Sequence, residues 1–290
     1  MRLLNFGSLN IDKVYRVPHF VRPGETISSE SFQCFPGGKG LNQSVAAARA
    51  GCQVYHAGTV GQDGEFLLEV LRESGVDIRY VRKGSGVTGH ALIQVADSGE
   101  NSIILFGGSN YENDSDYVDQ VLEQFGEGDL LMLQNEMNDL DQVLKKGALK
   151  GMKIMLNPSP MDEKLASMDL SCVSWLMLNE TEGKAMTGEE VPEQILNVLT
   201  ERYPGMEVIL TLGEEGCVYG FQKLRIKQKA YAVKAVDTTA AGDTFTGYFA
   251  AAAAEGKPVD EALSLAARAS AIAVTREGAS VSIPWRREIM

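Results

Sequence analysis

The chain has 290 residues, 44% of them apolar and 23% charged, with a formal net charge of −12. Those values describe a globular chain long enough for one large domain or two ordinary ones. They exclude a nucleic-acid binder working through a basic face, and any anionic ligand must be held by local features against the overall field.

The N-terminus opens with a short apolar strand, Leu3–Phe6, and no secretory h-region, so the expected compartment is the cytoplasm. No apolar run approaches a membrane span. Ile11–Phe35 follows without a helical period and reads as paired extended stretches. A glycine-rich turn, Gly37-Gly38-Lys39-Gly40-Leu41-Asn42, then enters a helix over Leu41–Ala50. It lacks the Ser or Thr that a Walker loop places after its lysine. A strand at Val54–Thr59 and a helix at Gly64–Ser74, stopped by Gly75, come next.

Gly84-Ser85-Gly86-Val87-Thr88-Gly89 matches G-x-G-x-x-G in letters, but it opens an extended run where a dinucleotide site needs a helix. Within Gly89–Asn110, Ala91–Ala96 and Ser102–Phe106 flank a turn and form a candidate hairpin. From Asp129 onward, apolar runs alternate with helical patterns: strands at Leu130–Leu133, Lys153–Leu156, Trp175–Leu178 and Val208–Leu212, helices at Leu140–Leu149 and Val191–Arg202. Such two-sided strands imply an α/β core with a mostly parallel central sheet flanked by helices. The segments at about 11–35 and 89–110 are then a small β-sheet lid inserted in one domain spanning 1–290.

Ligands of open α/β sheets bind beyond the strand carboxyl ends, and here those ends are polar. Gln134-Asn135-Glu136, Asn157-Pro158, Asn179-Glu180-Thr181-Glu182 and Gly213-Glu214-Glu215-Gly216 would build a rim along one sheet edge. Asn179 and Glu182 fit a capping box, and equally an outer-sphere holder of Mg²⁺-phosphate through water. The most informative stretch is Val236-Asp237-Thr238-Thr239-Ala240-Ala241-Gly242-Asp243, which leads into the Ala-rich Gly247–Glu255. Asp243 is either a helix cap or a base beside phosphate held by free helix N–H groups. With His19, His56 and His90 widely separated, a histidine metal site or triad is disfavoured, and the four cysteines show no C-x-x-C pair.

Taken in order, Gly37–Asn42, Asn179–Glu182 and Asp237–Asp243 resemble the ribokinase-like (PfkB-type) carbohydrate kinases. The likeness extends through Gly7–Asp12, Pro23–Thr26, Asn157–Pro160, Thr211–Gly213 and Ala271–Ala279. The tail Pro284–Ile289 carries it toward the ribose-phosphorylating branch.

The resemblance implies ATP-dependent phosphorylation of a sugar primary hydroxyl. Ribose is the first acceptor; deoxyribose, fructose, a ketodeoxy sugar acid and a nucleoside are the alternatives, with a non-catalytic sensor as a rival class. It implies sugar contacts from Asn10, Asp12, Gly38, Lys39, Gly40, Asn42, Glu136 and Asp243, and ATP contacts from Asn179, Thr211, Gly213, Gly216, Gly242 and Asp243. A monovalent cation such as K⁺ would take Asp237, the carbonyls of Thr239, Ala273, Arg276 and Gly278, and Ser282, with Glu182 reaching Mg²⁺ through water. Asp243 would be the general base, and the N–H groups of Ala241, Gly242 and Asp243 the anion hole. The chain departs from the family at Ala267, where ribokinases can place a polar ring residue near adenine. The partners implied are the sugar, ATP and a second copy of the chain, docked through the lid.

Overall fold

The computed structural model describes residues 1–289. In chain order the strands are β1 (Leu3–Phe6), β2 (Asn10–Val17), β3 (Ser31–Gly37), β4 (Val54–Val60), β5 (Asp77–Lys83), β6 (Gly89–Ala96), β7 (Asn101–Phe106), β8 (Leu130–Gln134), β9 (Lys153–Asn157), β10 (Trp175–Asn179), β11 (Glu207–Thr211), β12 (Cys217–Phe221) and β13 (Leu224–Gln228). The α-helices are α1 (Lys39–Arg49), α2 (Glu65–Glu73), α3 (Ser115–Leu122), α4 (Leu140–Leu149), α5 (Glu163–Ala166), α6 (Glu180–Thr187), α7 (Pro192–Arg202), α8 (Ala241–Ala254) and α9 (Val259–Ala273).

Nine strands form one sheet in the order β13-β12-β11-β10-β9-β8-β1-β4-β5. It is parallel from β5 to β11 and closes with the antiparallel pair β12 and β13. Helices cover both faces because the central strands are apolar on both sides: β8 is buried along its whole length and β1 likewise. One face packs against α1, α2, α8 and α9, the other against α3, α4 and α7. This is the mixed α/β architecture expected. β1 lies between β4 and β8, so the strand order reverses there and opens a crevice beyond the carboxyl ends of β1 and β8.

A second sheet, β3-β2-β6-β7, takes its four strands from the two segments that lacked a helical period. β2 leaves β1 after three residues and pairs with β6 in parallel, while β3 and β7 are antiparallel edges. The glycine-rich stretch before β6 turns into the lid and not into a helix. Its Ser85 and Gly86 N–H groups donate to the Glu112 carboxylate at 3.2 and 3.1 Å, and Thr88 N–H donates to Asp63 at 2.9 Å. The chain's own carboxylates therefore occupy these amides.

Three strands carried no clear sequence signal. β5, Asp-Ile-Arg-Tyr-Val-Arg-Lys, is an edge strand whose charged residues break any apolar run. β12 and β13 form an edge hairpin turned at Gln222, which takes a left-handed φ of 50°.

Candidate active site

The loop before α8 ends at Ala240, whose φ of 59° is left-handed, and no side chain caps the helix. Ala241 N–H is donated back to the Thr238 carbonyl at 3.2 Å. The N–H groups of Gly242 and Asp243 find no acceptor among the described residues, so two amides, one fewer than the sequence suggested, point outward from the first turn. Asp243 stands in that turn but does not cap it. Its side chain is turned to α1 and is only 8% exposed. Asn42 Nδ2 donates to Oδ2 at 3.0 Å and Gln43 Nε2 to Oδ1 at 2.9 Å.

The start of α1 comes close because glycines allow it. At Gly40 a Cβ would stand 2.3 Å from Ser8 N and 2.6 Å from the Gly7 carbonyl carbon. Gly38 has a φ of 93°, where a side chain would be strained. Glu136, just beyond β8, closes this turn. It accepts from Ser8 Oγ at 2.5 Å and from Lys39 N–H at 3.0 Å. Asn10 is oriented from the lid root, its Oδ1 accepting from Asn110 Nδ2 at 2.7 Å. Asp12 lies two residues further along β2, opposite Phe35 and Ala91, and against Gly37, where a Cβ would collide with its carboxylate.

The charges here are interdependent. Burial, followed by repulsion from Glu136 and Asp243, pushes the Asp12 carboxyl up to about 7, with Lys39 opposing. Burial also raises Glu136, against the pull of Lys39 and Ser8. Burial would lower Lys39, but Asp243, Glu136, Glu182 and Asp12 outweigh it and leave its pKa above the ordinary value. Lys39 is therefore a charged ammonium among four carboxylates, able to hold polar groups but not to act as a base.

On the other side of Asp243 a cleft of about 230 Å³ runs over the strand ends. Lys39, Asn157, Asn179, Glu182, Thr211 and the Ala240–Asp243 turn line it. Asn179 and Glu182 do form a reciprocal capping box on α6, at 2.9 and 3.0 Å. The box uses one Glu182 oxygen, and the residue still borders the cleft. Gly213 and Gly216 sit in the turn between β11 and β12, outside that lining, with left-handed φ of 54° and 100°. Ala267 is buried in α9 and does not line the cleft either.

Behind α8, Asp237 joins two loops. Its Oδ1 accepts from Thr239 N–H and Oγ1 at 2.8 and 2.6 Å, and its Oδ2 from Gly278 N–H at 2.9 Å. Burial would raise this carboxyl, but those hydrogen bonds outweigh it and hold it below the ordinary range. The Ala273 carbonyl accepts from Arg276 N–H, and Ser282 Oγ donates to the Ala279 carbonyl. The structure thus brings Asp237, Thr239 and Gly278 together through donors that occupy both Asp237 oxygens.

Sequence reasoning passed over Ser8, Gln43 and Asn157 as individual contributors. Gln43 had a usable signal: a large polar side chain in a helix whose neighbours are small or apolar, directly after Asn42.

An aspartate in the first turn of α8 thus lies between the glycine turn of α1 and a polar cleft over the strand ends. The chain belongs to the pfkB family of carbohydrate kinases, whose family model matches residues 2–286. It is therefore an ATP-dependent carbohydrate kinase. It is 38% identical over 293 residues to ribokinase of Haemophilus influenzae, covering 98% of this chain and 95% of that one. The ribokinase structure from Cryptococcus neoformans var. grubii serotype A in complex with ADP superposes with a TM-score of 0.87 at 35% identity, covering 99% and 98% of the two chains. The structure of Arabidopsis thaliana ribokinase complexed with ribose and ATP gives 0.87 at 33% identity, covering 99% and 97%.

Proposed function

We propose that this chain transfers the γ-phosphoryl group of ATP to the primary hydroxyl of ribose, with Asp243 as general base. The observation that carries this reading is the placement of Asp243: buried, doubly hydrogen-bonded, and in the first turn of α8 beside the free N–H groups of Gly242 and Asp243. The relative complexed with ribose and ATP supports the choice of acceptor and donor. In this reading Asn10, Asp12, Gly38, Lys39, Gly40, Asn42 and Glu136 hold the sugar from the lid root and the α1 turn. Asp243 takes the proton of the hydroxyl as its oxygen attacks phosphorus, and the free amides stabilise the equatorial oxygens. ATP lies in the cleft against Asn179 and Thr211, with Gly213 and Gly216 shaping the turn beyond.

Glu182 keeps one carboxylate oxygen outside its capping box, which suits a water-mediated hold on Mg²⁺. Bound Mg²⁺ would neutralise charge on the phosphates. Asp237, the carbonyls of Thr239, Ala273, Arg276 and Gly278, and Ser282 would hold K⁺ and stiffen the loop before α8. A second copy of the chain docks on the lid, and ATP as donor fits work in the cytoplasm.

A coupled ADP-release assay over ribose, deoxyribose, fructose, ketodeoxygluconate and nucleosides tests the acceptor. Ribose should give the highest kcat/KM, and a clear preference for another acceptor overturns the assignment. The same assay in K⁺ and in a large organic cation at matched ionic strength tests the cation site. Faster turnover in K⁺ is the expected result, and equal rates reject it.

A further inference from the structure

A line of buried amides runs beneath the site. Asn5 Nδ2 donates to the Gly40 carbonyl at 2.7 Å, and Asn5 Oδ1 accepts from Gln134 Nε2 at 3.0 Å. The same Gln134 nitrogen donates to Gln43 Oε1 at 2.7 Å. Gln43 Nε2 then donates to Asp243 Oδ1 at 2.9 Å and to Asn157 Oδ1 at 3.1 Å. Asn5, Gln43 and Gln134 are each 0% exposed.

The oxygen and nitrogen of an amide are told apart by their partners, so the direction of such a chain has to be anchored. Here a backbone carbonyl, which only accepts, anchors it. Because Asn5 gives its NH₂ to Gly40, its oxygen faces Gln134, which must donate. Gln134 gives its second hydrogen to the oxygen of Gln43, and the NH₂ of Gln43 is thereby turned to Asp243. A flip at any link would set oxygen against oxygen among fully buried groups.

We propose that Gln43 is a positioning residue for Asp243, and that Asn5 and Gln134 fix its amide so that the Gly38–Gly40 turn and the base move as one. This rests on the reading of Asp243 as the base. The two helices meet where the turn receives the sugar and α8 receives the phosphate, and Gln43 sets the carboxylate between them.

The test is steady-state kinetics of Gln43→Met, Gln134→Met and the double variant, with circular dichroism to establish folding. Gln43→Met should lower kcat by about 10–100-fold, the effect of a misaimed group, while KM for sugar and ATP stays within about threefold. Gln134→Met should lower kcat less, and the double variant should be no worse than Gln43→Met, because both changes act through one amide. A purely structural role would lower the melting temperature with losses that multiply. A folded Gln43→Met within about twofold of the parent kcat, or multiplying losses, overturns the proposal.

If Gln43→Met does not fold, Gln43→Glu keeps the length and the oxygen facing Gln134 but removes the donors to Asp243. Its kcat should fall at least as far, and parental kcat overturns the proposal. Asp243→Asn separates the two levels. If it abolishes turnover while the Gln43 variants stay active, only the positioning role fails; if Asp243→Asn stays active, the assignment of the base fails.

Discussion

Asp12 and Asp243 lie close enough for their charges to repel, and the proposed reading gives them different tasks. In that reading Asp243 takes the proton of the hydroxyl, and Asn42 and Gln43 hold its carboxylate in one orientation. Asp243→Asn keeps the shape and removes the base, so kcat should fall by about 10²–10⁴ in a folded protein; near-normal turnover would reject the role. Asp12 is raised to about 7 by burial and by its carboxylate neighbours. Its folded pKa therefore lies far above the ordinary aspartate value of about 3.9, and the folded state favours the protonated form. That contribution is complete below the unfolded pKa and is lost as pH rises through about 7. Urea unfolding of the sugar-free protein should show stability falling between about pH 4 and pH 7 and levelling above that. Asp12→Asn should flatten that decline and be the more stable protein at pH 8, while binding sugar more weakly. An unchanged pH slope in Asp12→Asn would sink this account.

At the scale of elements, the site depends on how closely α1 and α8 approach. Gly247 makes that contact: a Cβ there would lie 2.4 Å from Ala46 Cβ and 2.7 Å from the Gln43 carbonyl oxygen. Gly247→Ala must push α8 away from α1 and so draw Asp243 from Asn42 and Gln43. It should destabilise by about 1–3 kcal/mol, as overpacking does, and lower kcat as well. Thermal melts and kinetics check both; a stable, fully active Gly247→Ala would show that the helices have slack. The same scale explains what was readable. β8, β10 and β11 announce themselves because both their faces are buried, which demands unbroken apolar runs. β5 and β13 lie at the sheet edges and are largely half-exposed, so mixed residues suffice, whereas β12 is buried but its short apolar run is broken by Gly220. Asp243 could be placed at a helix start, but whether it capped that helix depended on what α1 offered it.

For the whole molecule, the lid carries an exposed apolar edge. All six residues of β7 are exposed, and Ile103, Ile104, Leu105 and Phe106 place apolar side chains on both faces of the strand. Bound sugar can cover one face only, and such a strand at a sheet edge invites pairing. Light scattering should therefore give twice the 31.4 kDa chain mass. Ile103→Glu combined with Ile104→Glu, one charge on each face, should return the monomer. A parent protein that runs as a monomer at micromolar concentration would reject lid docking.

The linear chain carried the α/β alternation, the lid segments, the glycine turn and the aspartate-bearing helix start. Each of these is written in local periodicity or in a residue type that a backbone conformation demands. The tertiary structure decided the rest. It brought Asn42 and Gln43 across some two hundred positions to Asp243, and it gathered four carboxylates around Lys39. It also left Gly242 and Asp243, but not Ala241, with free amides. Hydrogen-bond partners and pKa shifts arise from distance and burial between segments remote in sequence, and no local pattern encodes them.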